Sequence, residues 1–256
     1  MAFQIMMLID TSKCIGCKAC QVACKQWHSK TDEDTQFTGS YTNPPDKSGA
    51  NLNVVKFFEH GNNGDLRFLF FPDRCRHCEN PMCVSACPLN AIVKLPMGMV
   101  VVNEAKCNPS ACSGSAIKPC QLHCPFKSGF PALGVPRYQY VKNAAVVETK
   151  SQKCDFCYDR IHNPDLKGNN DPPSAQAGGR FGGAFMNSRR PACELVCPTR
   201  AIGVSSAGPV INYAENRRDY LKTHGYPNAN IYPGGDEYYV SHMIWILLED
   251  PTVYGL

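Results

Sequence analysis

The segment CIGCKACQVAC, residues 14–24, places four cysteines at separations of three, three and four residues. A compact loop with a cysteine at every third position turns its sulfurs onto one face of a small object. The fourth sulfur follows a short helical turn and is too far away to close the same object. The chain has 256 residues and sixteen cysteines, and the other twelve also fall into groups of four. The second group is Cys75, Cys78, Cys83 and Cys87, in CRHCENPMCVSACP. The third is Cys107, Cys112, Cys120 and Cys124, in CNPSACSGSAIKPCQLHCP. The fourth is split into Cys154 and Cys157 in CDFC, then Cys193 and Cys197 in CELVCP. No cysteine is left over, as incidental thiols would be.

A fragment repeats. CVSACPLNAIV (83–93) matches CELVCPTRAIG (193–203) as Cys, three residues, Cys-Pro, two residues, Ala-Ile. The third group keeps Cys-x-x-x-Cys-Pro, and the first has Lys25 in place of the proline. This is the bacterial ferredoxin spacing, in which three cysteines hold one iron–sulfur cube and the fourth holds its neighbour. The proline removes a competing N–H and turns the chain. Zinc is the rival metal, but zinc sites take their ligands as two pairs, whereas here three come in a row with a displaced fourth. A disulfide scaffold needs an oxidising compartment and normally an export signal. MAFQIMMLID offers no basic start or small-residue cleavage site.

Composition agrees with a folded carrier of metal. Apolar residues make up 43% and aromatics 10%, as in globular proteins. The formal charge of +4 becomes about −4 once sixteen thiolates hold four cubes of +2 each. Lys and Arg form no stripe, which excludes a nucleic-acid surface. The apolar stretch Met243–Leu248 is far short of the roughly 20 residues that span a bilayer. No G-x-G-x-x-G or P-loop is present, so no nucleotide site is expected.

Four short apolar runs precede cysteine loops: 3–9, 66–71, 99–102 and 144–148. They predict strands feeding the loops, with short helices carrying the Cys-x-x-x-Cys segments. The expected fold is α+β, a doubled bacterial-ferredoxin-like module of two pseudo-symmetric halves with long loop insertions and a C-terminal extension. One half comprises 1–27 and 144–205, with an insertion at 159–191, and the other comprises 66–143. Residues 28–65 read as an inserted polar loop, and 206–256 as an aromatic-rich tail that contacts a partner.

The sequence resembles the iron–sulfur (beta) subunits of the molybdenum/tungsten bis-pterin oxidoreductases, the formate dehydrogenase members above all. The resemblance rests on DTSKCIGCKACQVACKQW (10–27), TGSYTNPPDKSG (38–49), FFPDRCRHCENPMC (70–83), KCDFCYDRI (153–161), ACELVCPTRAI (192–202) and the tail from 229. It implies a nested pairing of group one with four and group two with three. The implied ligand sets are Cys14, Cys17, Cys20 with Cys197; Cys154, Cys157, Cys193 with Cys24; Cys75, Cys78, Cys83 with Cys124; and Cys107, Cys112, Cys120 with Cys87. Spacing alone gives the crossing but not which groups pair. Two features depart from the family pattern. The third group is stretched to separations of five and eight, and 35 residues separate Cys157 from Cys193.

The resemblance further implies four [4Fe–4S] clusters and no catalysis by this chain alone. Its partners would be a large catalytic subunit with a W/Mo bis-pterin cofactor and a downstream redox partner such as a cytochrome, ferredoxin or membrane subunit. It also favours a periplasmic location reached by co-export with the catalytic partner. Two rivals are the equivalent subunit of a polysulfide, arsenate or sulfoxide reductase and a stand-alone polyferredoxin. Lys13, Lys18, Arg74, Arg76 and Lys153 adjoin expected ligands and would tune clusters if they point inward. His77 and His123 lie within cysteine loops, but a full cysteine complement leaves no need for a histidine ligand. Trp27 is expected to pack against a cysteine loop or the partner.

Overall fold

The computed structural model describes residues 4–61, 66–112, 116–127, 133–162, 190–234 and 240–256. The strands are β1 (Ile5–Asp10), β2 (Val54–His60), β3 (Arg67–Asp73), β4 (Ile92–Lys94), β5 (Val100–Val102), β6 (Arg137–Lys142), β7 (Ala145–Gln152), β8 (Ile202–Ser206), β9 (Asn230–Tyr232) and β10 (Met243–Leu247). The helices are α1 (Ala19–Trp27), α2 (Met82–Ser85), α3 (Pro109–Cys112), α4 (Pro119–Leu122), α5 (Tyr158–His162), α6 (Ala192–Leu195) and α7 (Ala207–Thr223). The mixed α and β content is the one expected.

The central sheet runs β8-β1-β10-β9. β1 pairs antiparallel with β8, Ile5 opposite Ser206 and Ile9 opposite Ile202, and parallel with β10, Met7 opposite Met243 and Asp10 opposite Ile246. IMMLID shows no alternation because both faces of β1 are covered. Ile5, Met7 and Ile9 face the core that holds the cysteine loops. Met6 and Leu8 face α7 through Val210, Ile211, Ala214 and Leu221. β10 divides likewise, with Met243, Trp245 and Leu247 on the cysteine side and Ile244 and Ile246 on the α7 side.

Among the described residues, three hairpins complete the β structure: β2–β3, β4–β5 and β6–β7. α1 packs on α6 and α2 on α4, so the first cysteine group meets the fourth and the second meets the third. The four predicted strands appear as β1, β3, β5 and β7, and α1, α2, α4 and α6 carry or lead each Cys-x-x-x-Cys segment.

Two expectations need correction. Residues 54–60, inside the segment read as a loop, form β2, paired with β3 from Val54–Asp73 to His60–Arg67. The tail is not only a contact surface. β10 is an inner strand of the central sheet, Trp245 is fully buried, and Tyr254 is buried beside Phe71. The physical reason is that β1 needs a second neighbour, and the apolar MIWIL run supplies it from the far end of the chain. Most of the 159–191 insertion lies outside the described residues. Among the described residues, no helix is long and apolar enough to cross a membrane.

Candidate metal centres

Three of the four Cys-x-x-Cys loops carry a left-handed residue just before the second cysteine: Gly16 (φ 64°), His77 (φ 51°) and Phe156 (φ 68°); in Cys17–Cys20 the left-handed residue is Lys18 (φ 60°), after the first cysteine. At Gly16 the reason for glycine is direct. A Cβ there would lie 2.8 Å from the Phe70 ring and 2.9 Å from Phe57. His77 and Phe156 are instead held by burial and by an edge-to-face contact at 5.1 Å. His77 Nδ1 accepts the Val100 amide at 2.9 Å, so this imidazole has a structural role.

The repeated Cys-Pro-x-x-Ala unit has a matching cause. The amide of Ala91 donates to Cys87 Sγ at 3.3 Å, and that of Ala201 to Cys197 Sγ at 3.2 Å. Asn90 (φ 48°) and Arg200 (φ 54°) make the same turn ahead of them. Further amides reach Cys75 from His77, Cys124 from Val135 and Cys107 from Ser151, at 3.2–3.4 Å. Main-chain donors thus surround the sulfurs and offset negative charge there.

All sixteen cysteines are free thiols, and only Cys17 is exposed. They gather into four sets of four. Three sets take three sulfurs from one segment and one from a distant segment, while Cys154 and Cys157 are joined by Cys193 and Cys24 from two other segments. Cys14, Cys17, Cys20 and Cys197 line one cavity. Cys75, Cys78, Cys83 and Cys124 line another. Burial raises the Cys120 thiol to about 11, and the nearby Cys107, Cys112 and Cys87 add to the rise, which Ser151 opposes. Burial also raises Cys157, with Cys193, Cys24 and Cys154 adding to it. Cys14 is raised to about 11 and Cys78 and Cys83 to about 12, burial leading in each case. Burial and crowding thus oppose isolated thiolates here, and a strongly thiophilic cationic group would stabilise several of them together.

Residues 66–168 match a family model described as "4Fe-4S dicluster domain", and residues 13–91 match a second of the same description. The nitrate-inducible formate dehydrogenase iron-sulfur subunit of Escherichia coli K12 is 32% identical over 98% of this chain and 71% of its own length. The formate dehydrogenase iron-sulfur subunit of Haemophilus influenzae is 33% identical over 98% of this chain and 68% of its own. The chain belongs to the formate dehydrogenase iron–sulfur subunit family. A third relative, the formate dehydrogenase 2 subunit beta (cytochrome c-553) of Nitratidesulfovibrio vulgaris, is 31% identical and is matched over 96% of this chain and 94% of its own. The two dicluster domains imply four [4Fe–4S] clusters, selecting iron over the zinc alternative. This iron–sulfur subunit transfers electrons. The crowded, buried thiols and amide-lined sulfurs are a donor set that suits such clusters.

The five flanking cations have different surroundings. Lys13 donates to Tyr213 and lies 3.6 Å from Asp10. Lys18 donates to the Tyr41 carbonyl at 2.5 Å and sits over the Phe57 ring. Arg76 is paired with Asp73 at 2.5 Å and enclosed by Phe71, Phe126, Tyr232 and Trp245. Arg74 and Lys153 instead lie among cysteines. His123 is exposed. Trp27 packs against α5, donating to Asp159 at 2.8 Å with Arg160 4.2 Å over its ring.

Sequence reasoning missed His28 and Asp155. His28 Nε2 lies 3.0 Å from Asp155 Oδ1, and its Nδ1 lies 2.9 Å from the Cys24 carbonyl. Asp155 Oδ1 also accepts the Cys157 amide at 2.8 Å. Burial opposes charge on His28, but Asp155 and Cys24 outweigh it and raise its pKa to about 11. The pair ties the end of α1 to the CDFC loop. The available signal was position: His28 follows the first group closely, and Asp155 lies inside CDFC.

Proposed function

We propose that this chain is the electron-transfer subunit of a formate dehydrogenase complex. It relays electrons between a large catalytic subunit with a tungsten or molybdenum bis-pterin cofactor and an external redox partner. The observation that carries the reading is the gathering of sixteen thiols into four nested sets, in a chain matching formate dehydrogenase iron–sulfur subunits over 98% of its length.

In this reading Cys14, Cys17, Cys20 and Cys197 hold the first cluster, and Cys154, Cys157, Cys193 and Cys24 hold the second. Cys75, Cys78, Cys83 and Cys124 hold the third, and Cys107, Cys112, Cys120 and Cys87 hold the fourth. Each bound cluster supplies one-electron redox chemistry. The protein's part is to fix the thiolates, keep water away and set the local charge. The repeated turns at Asn90 and Arg200 and the packing of α1 on α6 and α2 on α4 support a reading as two pseudo-symmetric halves.

The test is to purify the native complex anaerobically, identify the co-purifying chain and assay formate-dependent dye reduction. The expected result is a large pterin-binding partner, formate activity and about sixteen irons per copy of this chain. A chain that purifies alone, or a complex inert to formate, overturns the assignment.

A further inference from the structure

Among the five cations beside the cysteine loops, Arg74 and Lys153 combine burial with positions between two thiol sets. Arg74 is 1% exposed. Its Nη1 donates to Cys193 Sγ at 3.0 Å. Its Nε and Nη2 are buried without a hydrogen-bond partner. A guanidinium stays charged in such a place, and its unpaired donors there are costly without a counter-charge, so the site is built for an anion. The sulfurs that feel its charge are Cys193, Cys20, Cys154 and Cys24. Cys20 belongs to the first set and the other three to the second.

Lys153 repeats the arrangement one step along. It is 4% exposed and lines the cavity of Cys75, Cys78, Cys83 and Cys124. Its Nζ is anchored by the carbonyls of Val100 and Cys154, the latter at 2.8 Å. Its charge reaches Cys75 and Cys83 of the third set and Cys154 of the second, with Asp155 also in its field. Arg76, by contrast, is matched by Asp73 and ring faces, and Lys47 by Asp73 and Asp46.

We propose that Arg74 and Lys153 are shared tuning residues, each set between two adjoining clusters: Arg74 between the first and second, Lys153 between the second and third. This rests on the four-cluster reading above. Four thiolates against a core of about +2 leave each cluster near −2, and reduction adds another negative charge. A fixed cation between two clusters favours the reduced state of both and weakens the repulsion between neighbours that are reduced together. The second cluster, flanked by both cations, is the one whose potential depends on each.

The test is a potentiometric EPR titration of the anaerobic complex carrying Arg74→Gln, Arg74→Lys, Lys153→Gln or Lys153→Arg, with iron counted first. Parent protein with far fewer than about sixteen irons per chain would remove the four-cluster reading itself. With the full complement, Arg74→Gln lowers two cluster potentials, Lys153→Gln lowers two, and one cluster is common to both pairs. The charge-conserving variants restore most of each shift. If Arg74→Gln sheds iron, about eight irons remain and the survivors are the third and fourth clusters, while Arg74→Lys keeps all four. Shifts confined to one cluster per variant, two pairs with no shared member, no shift, or iron loss from the third or fourth cluster in Arg74→Gln overturn the proposal.

Discussion

Asn90 and Arg200 share one left-handed backbone conformation, φ 48° and 54°, each just ahead of an alanine whose amide turns back onto a cysteine sulfur four residues earlier. The same backbone device thus serves two places 110 residues apart. It explains why the sequence repeats Ala-Ile after Cys-Pro, since the alanine amide is the donor and the isoleucine begins or enters the next strand.

A β-branched side chain is strained in that conformation, whereas glycine is not. Arg200→Val should therefore destabilise the loaded protein by ~1–2 kcal/mol, and Arg200→Gly by much less. The readout is the denaturant midpoint followed by cluster absorbance near ~400 nm. Equal midpoints for the two variants would refute the role of the turn.

Gly16 combines a left-handed φ of 64° with a ring carbon 2.8 Å from where its Cβ would stand. Gly16→Val should prevent closure of the Cys14–Cys17 loop, and iron should fall by about four per chain. Adding Phe70→Leu relieves the contact but not the strain, so iron should recover only in part. An unchanged iron content in Gly16→Val would rule this out.

The segment around Asp46 and Lys47 is pinned by buried ion pairs rather than by apolar packing. Asp46 meets Lys47 at 2.9 Å and Arg137 at 2.6 Å, and Lys56 meets Asp73 at 3.0 Å. Burial alone would raise the Asp46 pKa, but Lys47, Lys56 and Arg137 together bring it down to about 2. A depressed folded pKa contributes stability above the unfolded value near 4, lost as the pH falls from about 4 to 2. Asp46→Asn should cost about 2 kcal/mol at pH 7 and the same at pH 5. The deficit should shrink below pH ~4. Urea unfolding of both forms at each pH checks this, and a deficit that grows on acidification would contradict it.

Trp245 is fully buried, donates from Nε1 to the Pro72 carbonyl at 3.1 Å and lies against Phe71. Trp245→Ala should cost ~3–5 kcal/mol in the chain once dissociated from its complex, as for other large core truncations. Val22→Ala, at a side chain 62% exposed, should stay within ~0.5 kcal/mol. Thermal unfolding without any partner separates these cases. If Trp245→Ala kept the parent's stability and lost only complex formation, the tail would be a docking surface after all.

The parts legible in the sequence are those where local spacing sets local structure. Cysteines every third residue demand a loop, a Cys-x-x-x-Cys segment fits a helical turn, and the apolar runs before them became β1, β3, β5 and β7. Less legible were features decided by a distant partner. β2 was hidden in a polar insertion because only pairing with β3 gives VVKFFEH its order. β10 looked like part of a surface tail because its parallel neighbour β1 lies at the other end of the chain. The left-handed turns at His77, Phe156 and Arg200 were invisible because no glycine marks them. Among the flanking cations, adjacency to a cysteine did not separate Arg74, aimed at Cys193, from Lys13, turned to Tyr213.

The central claim is the crossing, in which each cluster takes its fourth sulfur from a remote segment. Its most direct measurement is the EPR spectrum of the reduced complex in four variants: Cys17→Ser, Cys197→Ser, Cys24→Ser and Cys193→Ser. Cys197→Ser and Cys17→Ser should perturb one and the same cluster signal, and Cys193→Ser and Cys24→Ser a different one. Perturbation of a single common signal by Cys193→Ser and Cys197→Ser, neighbours along the chain, would contradict the account.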